Sequence, residues 1–185
     1  MTSAAEIRVR PARLEDGPAA AALLREIDDL HAAIAPAYFC AGARAQSEWR
    51  GLLEDGTALA LVAEAGPGGL AGLLVVRIYD TPQSPTMVPR RRGHVESVVV
   101  AAGRRRRGVG RRLMDEAGAW ARAAGAVELV LTIWAGNDGA EAFYARLGYR
   151  PLSRVLARSL DAPGDAAQAA AGGRRAARAA RAHTR

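Results

Sequence analysis

The chain has 185 residues, half of them apolar and 24% charged, with a formal net charge of +7, which suits one domain with a sizeable core and leaves no room for two ordinary ones. No run approaches the roughly 20 apolar residues of a membrane span, and the first residues lack the apolar stretch of an export signal, so a soluble cytoplasmic protein is expected. Cys40 is the sole cysteine, which excludes an internal disulfide and a cysteine-held metal centre; no metal is expected, and an all-arginine basic set suggests a GC-rich bacterial genome.

In chain order, Glu6 to Arg10 reads as a short strand. Asp16-Gly17-Pro18 opens a helix, with Ala20, Leu23, Leu24, Ile27, Leu30 and Ile34 on one face and an end near Pro36. A second short helix carries Trp49, Leu52 and Leu53 and stops at Asp55-Gly56. Thr57 to Ala65 and Leu70 to Tyr79 are strand-like and flank Gly66-Pro67-Gly68-Gly69, which predicts an antiparallel hairpin. Asp80 to Gly93, with Pro82, Pro85 and Pro89, reads as a long irregular loop of the kind that forms lids.

His94 to Val100 is the next strand, running into Gly103 and four consecutive arginines. Val109, Leu113, Ala117, Trp120 and Ala124 then mark an apolar helix face closed by Gly125. Val127 to Trp134 is a strand suited to the middle of a sheet covered on both faces, and it completes a βαβ unit. Asp138, with Glu141 three residues on, has the pattern of a capping box at the head of a helix through Phe143, Tyr144 and Leu147, which Gly148 stops. Arg154 to Leu160 is expected as a last strand, and Pro163 to Arg185 has no large apolar residue to bury and is expected to be disordered.

The chemistry concentrates at Arg105-x-x-Gly108-x-Gly110, between a strand and a helix. A helix N-terminus exposes unpaired N–H groups and the positive end of its dipole, and glycines let an anion approach the main chain. Gly103 and Gly108 have the spacing of a Walker A loop, but Val109 and Gly110 stand where Lys and Ser or Thr are required. The dinucleotide fingerprint fails as well, because Gly108-Val109-Gly110 lacks its third glycine.

What remains resembles the acyl-CoA signature of the GNAT superfamily: Arg or Gln, two residues, Gly, any residue, then Gly or Ala. Val98-Val99-Val100 upstream, and Asn137, Phe143, Tyr144, Gly148 and Tyr149 downstream, match the family's accompanying pattern. The resemblance covers roughly residues 7–160. It implies an α/β (α+β) fold, a mixed central sheet of about six or seven strands flanked by about four helices, as a single domain over residues 1–160 with a tail over 161–185. It also implies N-acetyltransferase activity with acetyl-CoA as donor.

By the same resemblance, a V-shaped gap between the central parallel strands would take the pantetheine arm along the backbone of Val98, Val99 and Val100. The pyrophosphate would meet main-chain N–H groups of Arg105, Arg106, Arg107, Gly108, Val109, Gly110 and Arg111, and Asn137 would touch the pantetheine amides. Tyr144 matches the family's general acid. Glu96 is the candidate base and His94 the alternative. His31, Tyr38 and Phe39 form a candidate acceptor-binding group, beside Asp28 and Asp29, which could attract a cationic amine. A small-molecule amine is the leading acceptor; a protein N-terminus or lysine is the alternative. From other classes, an arginine-rich nucleic-acid binder lacks the interleaved aromatics such binding uses, and a non-catalytic acyl-CoA sensor sits uneasily with Tyr144. Monomer and homodimer are both open.

Overall fold

A five-stranded sheet organises the chain, its strands in the order β1-β2-β3-β4-β5. They are β1 (Arg8–Pro11), β2 (Ala58–Glu64), β3 (Leu70–Asp80), β4 (Arg91–Val100) and β5 (Glu128–Val130), with helices α1 (Gly17–Ile34), α2 (Gln46–Glu54), α3 (Val109–Ala123) and α4 (Asp138–Arg146). The computed structural model describes residues 7–40, 46–64, 69–158 and 160, so the tail and most of the glycine turn after β2 lie outside the described residues. Two compact units make up the chain, one of Met1–Ile27 and Gly42–Thr132, the other of Asp28–Ala41 and Ile133–Arg185.

In the first unit β1, β2, β3 and β4 pair antiparallel in sequence, and β4 pairs β5 in parallel across the α3 crossover. One sheet face is covered by the first turns of α1 and by α2, where Ala20, Leu23, Leu24 and Trp49 pack on Ala60, Val62, Leu73, Val75 and Val99. The other face is covered by α3, whose Leu113 and Val109 lie beside Gly72 and whose Ala121 lies beside Gly93. A sheet buried on both sides explains why β3 reads Leu-Leu-Val-Val rather than alternating. At the corner of β1, Arg10 binds Asp16 through both oxygens, at 2.7 and 2.9 Å, and Glu64 at 2.7 Å. Asp16 also accepts from the Arg13 N–H at 2.7 Å, which closes the 3-10 turn Leu14–Asp16 that leads into α1.

Three expectations change. The stretch after β3 is no 14-residue loop, because β3 and β4 pair out to Asp80 and Arg91. The connection that remains is tied at its base by Thr81 N–H to Arg90 O at 2.8 Å and Arg90 N–H to Thr81 Oγ1 at 2.9 Å. The strand expected over Val127 to Trp134 is only Glu128–Val130. No strand forms over residues 154–158, where Val155 is 94% and Leu156 91% exposed. Those two adjacent apolar residues, flanked by Arg154 and Arg158, give the run no consistent period-two face to bury. The sheet therefore has five strands among the described residues, one or two fewer than expected.

The second unit holds the end of α1, the turn over residues 36–38, and α4. α4 is capped by Asn137, whose Oδ1 accepts from Ala140 N–H at 3.1 Å. Asn137, one residue before the expected Asp138, is the N-cap. The helix ends in a Schellman closure, with Tyr149 N–H on Tyr144 O and Gly148 N–H on Ala145 O, both at 3.0 Å. Gly148 supplies the left-handed φ of 88° that this closure requires.

Candidate functional site

Within the first unit the site begins at an irregularity in β4. Val75 lies opposite Ser97 and Val76 opposite Val95, so Glu96 is the extra residue of a β-bulge. A bulge bends its strand and re-aims the side chains around it. Here it turns Val95 toward the α3 face and Val99 into the core beneath α1 and α2, with Leu73 and Val75.

The parallel pairing of β4 with β5 ends just before that bend. Arg92 lies opposite Glu128, Gly93 opposite Leu129 and His94 opposite Val130, and no later pair forms among the described residues although β4 continues to Val100. The closed end is fastened by Arg92 Nε to Glu128 Oε1 at 2.6 Å and Val127 N–H to Arg91 O at 2.9 Å. Beyond His94 the edge of β4 is open. Ala101 N–H is given to Ala71 O at 3.0 Å, so strand alternation turns the polar main chain of Val99 toward β3 and that of Val98 and Val100 toward the open edge. Val98 and Val100 are therefore the two of the valine triplet whose backbone faces the gap, while Val99 is occupied by the sheet.

β4 ends in a 3-10 turn, Ala102–Arg104, then the turn that heads α3. Gly108 is the N-cap of α3, with φ 81°, no side-chain cap and nothing within 4 Å of where a Cβ would stand. Arg106 is left-handed too, at φ 63°, a conformation that costs a non-glycine residue about 1–2 kcal/mol. The first turn of α3 has no acidic residue and carries Arg111 and Arg112, the wrong sign for the positive end of a helix dipole. A bound anion would reverse that penalty. Arg104, Arg106, Arg107 and Arg111 form no ion pair among the described residues, whereas Arg112 donates to Ile7 O at 2.6 Å. Arg105 reaches back, giving Nε to Val100 O at 3.1 Å and Nη2 to Glu26 at 3.2 Å.

Glu96 accepts from Arg77 Nε through Oε1 at 2.9 Å, and the same guanidinium binds Asp55. Asp55 is held well below the ordinary carboxylate value, at about 2, first by the Thr57 hydroxyl and then by the Thr57 N–H and Arg77. His94, opposite Arg77 in the register, packs edge-on against Tyr79 with ring centroids 6.3 Å apart. Neither Arg77 nor Asp55 stands out in the sequence as a site residue, because an arginine in a strand and an aspartate at a helix stop carry no distinctive signal.

In the second unit, burial and then the neighbouring Tyr149 raise the Tyr144 hydroxyl from 10.0 to about 12. Its ring lies edge-on to Phe143 at 5.0 Å and to Tyr149 at 5.5 Å. His31, Tyr38 and Phe39 do come together, and Trp134 joins them. Trp134 sits 4.7 Å from Phe39 and 5.1 Å from Tyr38, and Phe39 stacks on His31 at 4.8 Å. The strand expected to run to Trp134 stops at Val130, and Trp134 packs with these rings instead.

Among the described residues there is no cluster of metal-ligating side chains and no helix long and apolar enough to cross a membrane. The chain is similar in structure to a mutant of the BH1408 protein of Bacillus halodurans, with TM-score 0.80 and 22% identity over 83% of this chain and 99% of that one. It is also similar to the aminoglycoside 6'-N-acetyltransferase AAC(6')-IG of Acinetobacter haemolyticus (TM-score 0.64, 19% identity, 84% and 99% covered). A third similar structure is AAC(6')-Iy in complex with a bisubstrate analog, CoA-S-monomethyl-acetylneamine (TM-score 0.65, 15% identity, 85% and 99% covered). Sequence comparison with curated proteins gives no match. The model of the acetyltransferase (GNAT) family matches residues 18–149, and with the open β4 edge and the glycine-capped head of α3 inside that span, the chain belongs to the GNAT family of acetyltransferases.

Proposed function

We propose that the chain transfers an acetyl group from acetyl-CoA to the amine of a small acceptor by direct attack in a ternary complex. The observation that carries this reading is that one unit joins an open edge of β4 to a glycine-capped helix head that has no side-chain cap and no acid, which suits a ligand with an amide-bearing arm and a pyrophosphate. Acetyl-CoA, when bound, supplies the acyl group as an activated thioester. Val98 and Val100 offer main-chain groups to the arm, and Arg105 must turn aside before the Val100 carbonyl is free. Main-chain N–H groups from Arg106 to Arg111 would meet the pyrophosphate, with Gly108 and Gly110 keeping side chains out of the way, whereas the Arg105 N–H, counted among these donors in the sequence, is given to Ala102 O at 3.5 Å. Asn137 Oδ1 is spent on the α4 cap, so its Nδ2 amide is the group left for a cofactor contact.

In the transfer a C–N bond forms and the C–S bond breaks; the amine loses a proton, and CoA leaves as a thiolate that takes its proton afterwards from solvent. Glu96 takes the first proton, directly or through a water, while Arg77 holds its carboxylate in place. His94, packed against Tyr79, is the alternative. Tyr144 acts at the sulfur. With its hydroxyl at about 12, it keeps its proton through the neutral range, as an acid must. An ordinary thiol, near ~8.5, is more acidic than such a phenol, so Tyr144 works chiefly by hydrogen-bonding the departing sulfur. Acetylation of small aminoglycosides by structural neighbours supports a small acceptor over a protein one.

A free-thiol assay with saturating acetyl-CoA and separate panels of small amines and lysine peptides tests the reading. Release with small amines is the expected result. Release with peptides alone would move the chain to protein acetylation, and release with neither would remove the activity.

A further inference from the structure

The ring row in the second unit has two properties that packing alone does not require. It is open, with Tyr38 64% exposed at one end. It also sits in an arginine-free stretch of a strongly basic chain: residues 28–40 contain Asp28 and Asp29 and none of the 26 arginines.

The rings run Tyr38, Trp134, Phe39, His31, each within 4.7–5.1 Å of the next. His31 lies in the last turn of α1, where the helix dipole is negative. Asp28, three residues earlier, shares its face of the helix. Ala35 N–H on His31 O at 2.8 Å, and Tyr38 and Phe39 N–H on Ala35 O at 3.0 and 3.1 Å, fold the chain back so that both rings return to the end of α1. On the other side, Asn137 N–H is given to Trp134 O at 3.1 Å. Trp134 is thereby tied through the Asn137 cap to α4, the helix that carries Tyr144.

Aromatic faces attract cations and stack on flat rings, and a carboxylate with a helix C-terminus adds attraction for positive charge. Such a surface favours a ligand that is both cationic and ring-bearing over one that is only one of these. We propose that Tyr38, Trp134, Phe39 and His31, beside Asp28, are the docking surface of the acceptor, and that they select a small cationic amine carrying an aromatic or other flat ring. This rests on the acetyltransferase reading above and names its substrate class.

The test compares 2-phenylethylamine with n-butylamine as acceptors at saturating acetyl-CoA, and titrates 2-phenylethylamine against uncharged 2-phenylethanol by calorimetry, which reads binding without turnover. The expected kcat/KM preference for the ring amine is about tenfold or more, carried mainly by KM. Tyr38→Ala, at an exposed position, and Trp134→Leu, with its fold checked by circular dichroism, each reduce that preference severalfold, and 2-phenylethanol binds more weakly than the amine. Equal use of n-butylamine, equal binding of the alcohol, or a preference untouched by Tyr38→Ala overturns the proposal. If no amine releases CoA but 2-phenylethylamine still binds and Tyr38→Ala weakens it, the acetyltransferase reading fails while the ring-amine site stands.

Discussion

Arg77 on β3 holds Glu96, the bulged residue of β4, through Nε to Oε1 at 2.9 Å, and with its other arm holds Asp55 ahead of β2. The bulge aims the Glu96 carboxylate, and the guanidinium stops it from swinging. All three side chains are about one-third exposed, so water screens the network and it adds little to stability. Glu96→Gln should therefore leave the melting temperature almost unchanged and lower kcat by about a hundredfold, the usual contribution of a positioned base. Steady-state kinetics beside a thermal melt checks this; full activity in the variant removes Glu96 from the mechanism and leaves His94 as the candidate.

Tyr144→Phe should reduce kcat about tenfold to a hundredfold while acetyl-CoA affinity, measured by calorimetry, changes little. Because the hydroxyl is raised to about 12, its protonated form persists well above neutrality. The parent enzyme's kcat should thus show no fall between pH 7 and about 10 from loss of this proton. A descending limb near pH 9 that disappears in Tyr144→Phe contradicts this.

Gly110→Asp separates binding from folding because the two should move in opposite directions. An acidic side chain in the first turn of α3 suits the helix dipole and adds about 0.3–1 kcal/mol to stability. The same charge repels a pyrophosphate, so acetyl-CoA affinity should fall at least tenfold. Unchanged affinity in calorimetry places the pyrophosphate elsewhere.

Asp16→Ala should destabilise the fold by about 2 kcal/mol at neutral pH, since it removes hydrogen bonds to a charged, largely buried partner. The Asp16 carboxyl is held below its ordinary 3.8, first by the side-chain bonds from Arg10. A depressed acid contributes its stability above the unfolded value and loses it as pH falls through the folded one. The gap between parent and variant should hold from pH 7 to about 4 and narrow below that, as urea melts at several pH values will show.

The glycine-capped turn, the long α3 helix and the family were legible in the sequence because each depends on local conformation: Gly108 and Gly110 at fixed spacing, apolar residues at helical intervals, and an arginine run that needs no packing partner. The β3–β4 connection is shorter than its sequence suggests, because three prolines mark where regular structure ends but not how far paired strands extend on either side. The strand expected over residues 154–160 failed on a tertiary requirement, a surface able to bury Val155 and Leu156 together.

What the chain's order alone determined is the local chemistry: which residues can cap, turn, coil or carry charge. Tertiary structure alone decided the bulge at Glu96, the end of β4–β5 pairing at His94 and Val130, the hold of Arg77 on Glu96, and the meeting of Trp134 with Tyr38 and Phe39. Each joins segments distant in sequence, and cross-strand register and ring contact arise only when separate backbones are brought side by side, which no pattern within a single segment encodes.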